Sequence, residues 1–362
     1  MARALERWFG AAARSLPWRV TGPDGRRDPY AVLVSELMLQ QTQVSRVVER
    51  FEAFMRRFPT VAALARADEA DVLALWAGLG YYRRARHLHA AAKRIVSEHG
   101  GEMPGTAEAL RELPGVGRYT AGAIASMALG QRVPLVDGNV ARVLMRLDAK
   151  PGDVAQGQAW AWERAGELVE RSSAAGVFNE GLMELGATVC VPGRPRCEAC
   201  PLAAWCVARA EGRQTEIPAP KPAATRRGLT LDAAVVVDET GRVLVERRGA
   251  EGLWAGLWQP PTCEAARGGP VGVAKALRVD ATLMRAGSVS RTLTHRNLSV
   301  RVWVGRVAHA AATDGRRWVM PADAERLGMS SAHAAVLAAG LAALEPKKRA
   351  PRGQARGASK RT

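Results

Sequence analysis

The sequence predicts a multi-domain protein, an all-α domain followed by a smaller α+β domain. Three observations carry this. At 362 residues the chain is too long for one ordinary compact core and suits two. Apolar positions recur with helical spacing as far as residue 210, without any long β alternation. Beyond a stretch rich in Pro, Ala and Lys at residues 217–222 the rhythm changes to alternating, β-branched runs. The expected organisation is therefore a helical domain over 1–212, a linker over 213–228, a mixed domain over 229–344 and a basic tail over 345–362.

Within the helical domain, Asp28-Pro29 reads as the N-cap and first residue of a helix running to about Gln41. Phe58-Pro59-Thr60 closes the next helix. Further helices are expected at 61–76, 83–99, 106–112, 118–129, 138–147, 156–172 and 178–187. In the second domain, Leu229 to Val237 and Val243 to Val245 flank the turn chemistry of Asp238-Glu239-Thr240-Gly241, which predicts a hairpin. Leu298 to Val307 alternates as another strand, and Ala332 to Leu344 returns to helix.

Composition narrows the function. The hydrophobic fraction is 48% and the charged fraction 24%, and no apolar run reaches the roughly 20 residues of a membrane span. No export signal opens the chain, so a cytoplasmic, nucleoid-associated protein is expected, free of membranes. A formal charge of +17 attracts polyanions, nucleic acid first among them, although an arginine-biased composition without a basic patch gives the same sum. Part of the excess sits in the last 16 residues, which carry seven Lys or Arg and no acid and have no apolar periodicity; disorder is expected there.

Three local patterns carry chemistry. Cys190, Cys197, Cys200 and Cys206 fall within 17 residues, and only Cys263 lies apart. Four thiolates on one loop, 190–206, can hold a tetrahedral zinc or an iron-sulfur cluster, and the spacing alone does not choose. Leu113-Pro114-Gly115-Val116-Gly117 leads into a helix, leaving backbone N–H groups open to a phosphate at the positive end of the helix dipole. The same pentapeptide also suits an ordinary interhelical turn. Lastly, Glu36 is a lone carboxylate in an apolar helix, where desolvation favours its protonated form, whereas Asp137 stands at a helix start, where N–H groups favour its charge. Two acids pushed in opposite directions suit glycosidic bond cleavage. Taken singly, each also has a plain structural reading, as a satisfied buried acid and an N-cap.

The segments Ser35-Glu36-Leu37-Met38-Leu39-Gln40-Gln41-Thr42-Gln43-Val44, Leu79-Gly80-Tyr81-Tyr82, Leu113 to Thr120, Val136-Asp137-Gly138-Asn139-Val140 and the cysteine loop occur in the order seen in MutY-type adenine DNA glycosylases, and the chain resembles that family. The resemblance implies an endonuclease III-like helix-hairpin-helix domain, a four-iron, four-sulfur cluster on the four cysteines, and a C-terminal Nudix-like domain. It further implies removal of adenine paired with 8-oxoguanine or guanine in duplex DNA, by a monomer. Glu36 would protonate N7 of the flipped base, Asp137 would steady the oxocarbenium-like sugar, Tyr119 would lie beside the same centre, and Asn139 would support the acids. Trp18, Arg19 and Glu180 match positions lining the adenine pocket. Gln41, Thr42, Leu79 and Tyr81 fall in the segments that fill and wedge the opened duplex, while Leu113, Gly115, Val116 and Gly117 form the DNA clamp.

Gly252 to Pro260 resembles the tryptophan-bearing segment of the family's Nudix-like domain, and Thr294 and His295 fall in its 8-oxoguanine-sensing loop. Leu293 departs from the usual aromatic there. The pyrophosphatase signature of a working Nudix enzyme does not occur in 229–343, so that domain is expected to bind rather than hydrolyse. Alternatives are an endonuclease III-like pyrimidine-lesion lyase, which would need a lysine where Tyr119 stands, and a non-catalytic iron-sulfur DNA-binding or redox-sensing protein. A Nudix hydrolase of free nucleotides is a third.

Overall fold

The structure, a computed structural model, describes residues 1–23, 25–220, 225–308, 315–324 and 326–345. The expected basic tail lies outside the described residues from 346 onward, as do residues 221–224 of the expected linker. The chain divides into two compact units, Met1–Ala224 and Thr225–Thr362.

Twelve α-helices are described in the first unit: α1 Ala2–Ala12, α2 Pro29–Leu39, α3 Val44–Arg57, α4 Val61–Ala65, α5 Glu69–Leu75, α6 Arg83–His99, α7 Ala107–Arg111, α8 Arg118–Met127, α9 Gly138–Leu147, α10 Gln158–Glu170, α11 Ala175–Thr188 and α12 Val207–Ala210. Local chemistry sets their starts. The Asp28 carboxylate accepts from the Tyr30 N–H at 2.9 Å and Pro29 opens α2, while Thr60 and Thr106 cap α4 and α7 through Ala63 N and Ala109 N. The helix expected at 61–76 is two helices, because the chain turns at residues 66–68 and restarts at Asp68. α2 stops at Leu39, two residues short of expectation, since Gln41 takes a left-handed φ of 56°. The amphipathic α1 buries Leu5 and Phe9, and α1 has no counterpart among the helices expected from periodicity.

A central core joins α9, α10 and α11 through Val140, Leu144, Ala161, Leu168, Phe178 and Leu185. Gly186 makes the close α9–α11 approach possible: a Cβ there would stand 2.8 Å from Asn139 Cβ and 3.0 Å from its carbonyl oxygen. The first part of the expected linker is docked on this unit, with Ile217 buried against Met145 and Ala208.

The second unit is a mixed sheet with a helix on each face. Its strands are β1 Arg227–Asp238, β2 Val243–Arg247, β3 Trp258–Gln259, β4 Thr262–Glu264, β5 Met284–Thr292, β6 Arg296–Val307 and β7 Arg316–Val319, with helices α13 Gly269–Leu277, α14 Pro321–Ala324 and α15 Ser331–Leu344. The backbone path runs β3-β2-β1-β6-β5. β1 and β2 pair antiparallel around the 238–241 turn as the hairpin chemistry predicts, but the long partner of β1 is the parallel β6, from Arg227↔Arg296 to Asp238↔Val307. β1 therefore begins inside the span expected to be linker. Odd positions of β1, from Leu231 to Val237, pack with Val336 and Leu337 of α15; Ala234 and Val236 pack with Val273 and Leu277 of α13. This period-two division places one helix on each face.

Candidate active site

The first unit contains a cleft of about 510 Å³, within the range of small-molecule sites. Its lining brings together Trp18, Arg19, Glu36, Gln41, Thr42, Tyr119, Asp137, Asn139 and Glu180, residues contributed by widely separated stretches of chain.

Glu36 comes from the last turn of α2, whose residues from Val32 to Met38 are all buried, so the carboxyl enters the cleft from an apolar wall and is 4% exposed. Burial pushes it up to about 7; the Tyr119 hydroxyl opposes this, while the charges of Asp137 and Glu180 add to it. Glu36 Oε2 has no hydrogen-bond partner. A buried oxygen of this kind is available to a ligand in the cleft. Tyr119 is held by α8, its hydroxyl also 3.8 Å from Met183 Sδ, and burial and the nearby acids keep its proton on.

Asp137 is the N-cap of α9. Its Oδ1 accepts from Val140 N at 2.7 Å and its Oδ2 accepts from Asn139 Nδ2 at 2.8 Å. Asn139 Oδ1 in turn accepts from Arg142 Nη2 at 2.9 Å, and Arg142 donates onward to the Gly186 and Cys190 carbonyls at 2.9 Å each. The side chain of Asp137 is thus fixed by a continuous polar path that ends on the cysteine loop.

A second acid-base network forms the far wall. Arg19 donates to Glu180 at 3.1 Å and to Glu184 at 2.9 Å; Arg27 reaches Glu180 at 2.5 Å and Arg14 reaches Glu184 at 2.6 Å. Burial would raise Glu184, but its bonds to Arg14 and Arg19 outweigh that and leave it below the usual carboxylate range. Arg14, Arg27 and Glu184 were not singled out from sequence. Glu184 lies one helical turn after Glu180 on the apolar α11, a spacing that could have found it. Trp18 is 7% exposed and packs edge-on against Phe51, their ring centroids 5.5 Å apart.

The glycine turn joins α7 to α8. Gly115 has φ +77° and a Cβ there would meet His87 Cβ at 2.5 Å, so only glycine fits. No side chain caps α8 at Gly117; Leu113 and Val116 are buried beneath the turn. Leu79 is also buried, whereas Tyr81 is 44% exposed at φ 48°.

Cys190, Cys197, Cys200 and Cys206 line one small cavity together with Arg146, Arg196 and Arg209. None is in a disulfide, and among the described residues no three His, Cys, Asp or Glu side chains close on the position of a single ion. Burial pushes the Cys200 thiol up to about 11.

Thr294 and His295 belong to the second unit, exposed at the tip of the β5–β6 hairpin. The tryptophan segment there serves the core: Trp258 is buried in β3, and Trp254 packs on the α15 side, edge-on to buried His333 with ring centroids 4.6 Å apart.

Two family models match the two units. The family model described as HhH-GPD superfamily base excision DNA repair protein matches residues 34–160, and a NUDIX domain model matches 232–339. The chain belongs to the adenine DNA glycosylase family. It is 34% identical to the rat (Rattus norvegicus) adenine DNA glycosylase over 91% of this chain and 76% of that one. It is 48% identical to the human (Homo sapiens) protein over 59% of this chain, a match spanning 40% of the human protein's length. A solved thermostable thymine-DNA glycosylase is 26% identical with a TM-score of 0.52, covering 58% of this chain and 95% of that one.

Proposed function

We propose that the protein removes adenine paired with 8-oxoguanine or guanine from duplex DNA by hydrolysing its N-glycosidic bond. The observation that carries this reading is Glu36: a carboxyl held near pH 7 by burial, with an unpartnered oxygen, in a cleft that also presents Asp137. In this scheme the extruded adenine enters the cleft and Glu36 transfers its proton to N7, so the glycosidic electron pair leaves with the base. Asp137, with both oxygens anchored by N–H donors, faces the positive sugar until water adds at the anomeric carbon and loses a proton. Tyr119 stands where a lyase would need an amine, which favours simple hydrolysis over strand cleavage.

Gln41 and Tyr81 would occupy the opened duplex, the turn at Gly115 and Gly117 would take a backbone phosphate, and Thr294 and His295 would read the 8-oxoguanine. α13 carries no acidic residue, in keeping with a binding rather than hydrolytic second unit. Among the described residues no helix is long and apolar enough to cross a membrane; a substrate of this kind would place the protein with the chromosome.

The four cysteines would hold a four-iron, four-sulfur cluster: they line one cavity together with Arg146, Arg196 and Arg209, whose guanidiniums would offset the cluster's negative charge. Bound there, the cluster would supply cross-linking of the 190–206 loop. The deciding experiment is base release from duplexes with adenine opposite 8-oxoguanine, guanine, cytosine and thymine, followed by alkali to reveal abasic sites. Release restricted to the first two supports the proposal; release of no adenine from any of them refutes it.

A further inference from the structure

Two non-glycine residues on loops of the first unit, Gln41 and Tyr81, sit in left-handed backbone with φ of 56° and 48°. Such residues are strained unless their surroundings hold them. What holds both is a single side chain. Arg84, on the first turn of α6, is 7% exposed and contacts both loops. Its Nη1 donates to the Leu37 and Met38 carbonyls at 2.8 Å each and to the Gln40 carbonyl. These lie at the C-terminal end of α2, where backbone carbonyls run out of intrahelical partners. Its Nη2 donates to Thr42 Oγ1 at 3.0 Å and to the Leu79 and Gly80 carbonyls at 3.1 and 3.0 Å, and its Nε reaches the Tyr81 carbonyl at 3.4 Å. The guanidinium lies 5.5 Å from the ring centroids of Trp76 and Tyr81 alike. Thr42 closes the link by donating to the Leu79 carbonyl at 3.2 Å.

A planar fork with five donors can satisfy acceptors on two turns at once; an ammonium with three donors on a flexible stem cannot. We propose that Arg84 is the positioning residue that locks the Gln41 and Tyr81 turns into one rigid unit, so that duplex engagement and base extrusion depend on it while bond cleavage does not. This rests on the duplex-opening reading given above.

The test uses the full chain carrying Arg84→Lys, checked for folding by circular dichroism and thermal melting. Three readouts follow: duplex affinity by anisotropy, extrusion by the fluorescence of 2-aminopurine in place of adenine, and the pH profile of single-turnover base release at saturating enzyme. Affinity should fall about tenfold, within what one base-aromatic stack contributes, with a smaller fluorescence rise. The midpoint of the pH profile should not move. Tyr81→Ala should weaken binding in the native background and add little in Arg84→Lys, because a ring already out of place has little left to lose. Native-like affinity and extrusion in Arg84→Lys, or fully additive losses, would overturn the inference. Should Arg84→Lys fail to fold, Thr42→Val removes the hydroxyl that joins Arg84 to Leu79 and should shift the same readouts in the same direction; unchanged values would overturn it equally. The affinity cycle can be run on a duplex without damage, so a chain that releases no adenine would sink the enzymatic reading while leaving this one measurable.

Discussion

Replacing Glu36 with glutamine separates the two consequences of burying that carboxyl. Its folded-state pKa is raised from 4.5 to about 7, so the folded protein holds this proton more tightly than the unfolded chain does. Between those values the native state binds more protons, and stability must fall as pH rises. At 1.36 kcal/mol per pKa unit, a shift of about 2.5 corresponds to roughly 3 kcal/mol present below the unfolded pKa and lost once pH passes about 7. Glutamine has nearly the same shape and cannot titrate, so Glu36→Gln should lack that slope. Urea unfolding of the full chain at pH 5 and pH 8, followed by tryptophan fluorescence, should show the variant gaining on the native protein by roughly 2 to 3 kcal/mol between the two conditions. Base release should depend on the same proton: the native rate should decline above about pH 7 as Glu36 loses it, and the variant should bind duplex but lose some 10²-fold or more in rate. A pH-independent stability difference, or a native rate still climbing at pH 9, would refute the assignment of Glu36 as a buried acid that delivers its proton.

Four further outcomes follow from the site geometry and the charge. Asn139→Ala removes the 2.8 Å donor from Asp137 Oδ2, so single-turnover base release should slow by about 10- to 100-fold while duplex affinity by anisotropy is retained; equal rates would mean that Asp137 needs no orientation. Gly115→Ala forces a Cβ into His87 at a φ of +77°, and should cost about 1–3 kcal/mol by thermal melting together with a loss of duplex affinity. With a formal charge of +17, affinity for duplex DNA should fall steeply between 50 and 200 mM salt, as about 6 or more phosphate contacts require, and a flat response would remove the electrostatic argument. Cys197→Ser should weaken the loop and duplex binding before it slows chemistry, read by visible absorbance, melting and anisotropy in parallel.

Much of the cleft was legible because its chemistry is local. Asp137 could be placed as a cap from the residues that follow it, and Glu36 as a desolvated acid from its apolar neighbours. Gly115 could be assigned to a turn from the pentapeptide around it, and the cysteine loop announced itself by spacing. What escaped was whatever depends on distant partners. Arg14 and Arg27 look like ordinary surface cations in their own segments; only the fold brings them to Glu184 and Glu180, 170 and 153 positions away. The parallel β1–β6 pairing escaped for the same reason, since residues 69 apart carry no local mark of their register.

Arg84 is the sharpest instance. In sequence it is one cation in Arg83-Arg84-Ala85-Arg86, a run that reads as a solvated helix face or a phosphate contact. The structure exposes Arg83 and buries Arg84, and burial pulls the Arg84 guanidinium down to about 10, still charged at neutral pH. A buried cation is expensive unless every donor is used, and here the partners are carbonyls that two irregular turns leave exposed. The hydrogen bonds from Arg84 to those carbonyls therefore compensate both the burial of the charge and the strain of the two left-handed turns. That coupling explains why exchanging Arg84 for lysine is expected to disturb the rim of the cleft more than Asp137, which is anchored separately through Asn139 and Val140 of α9.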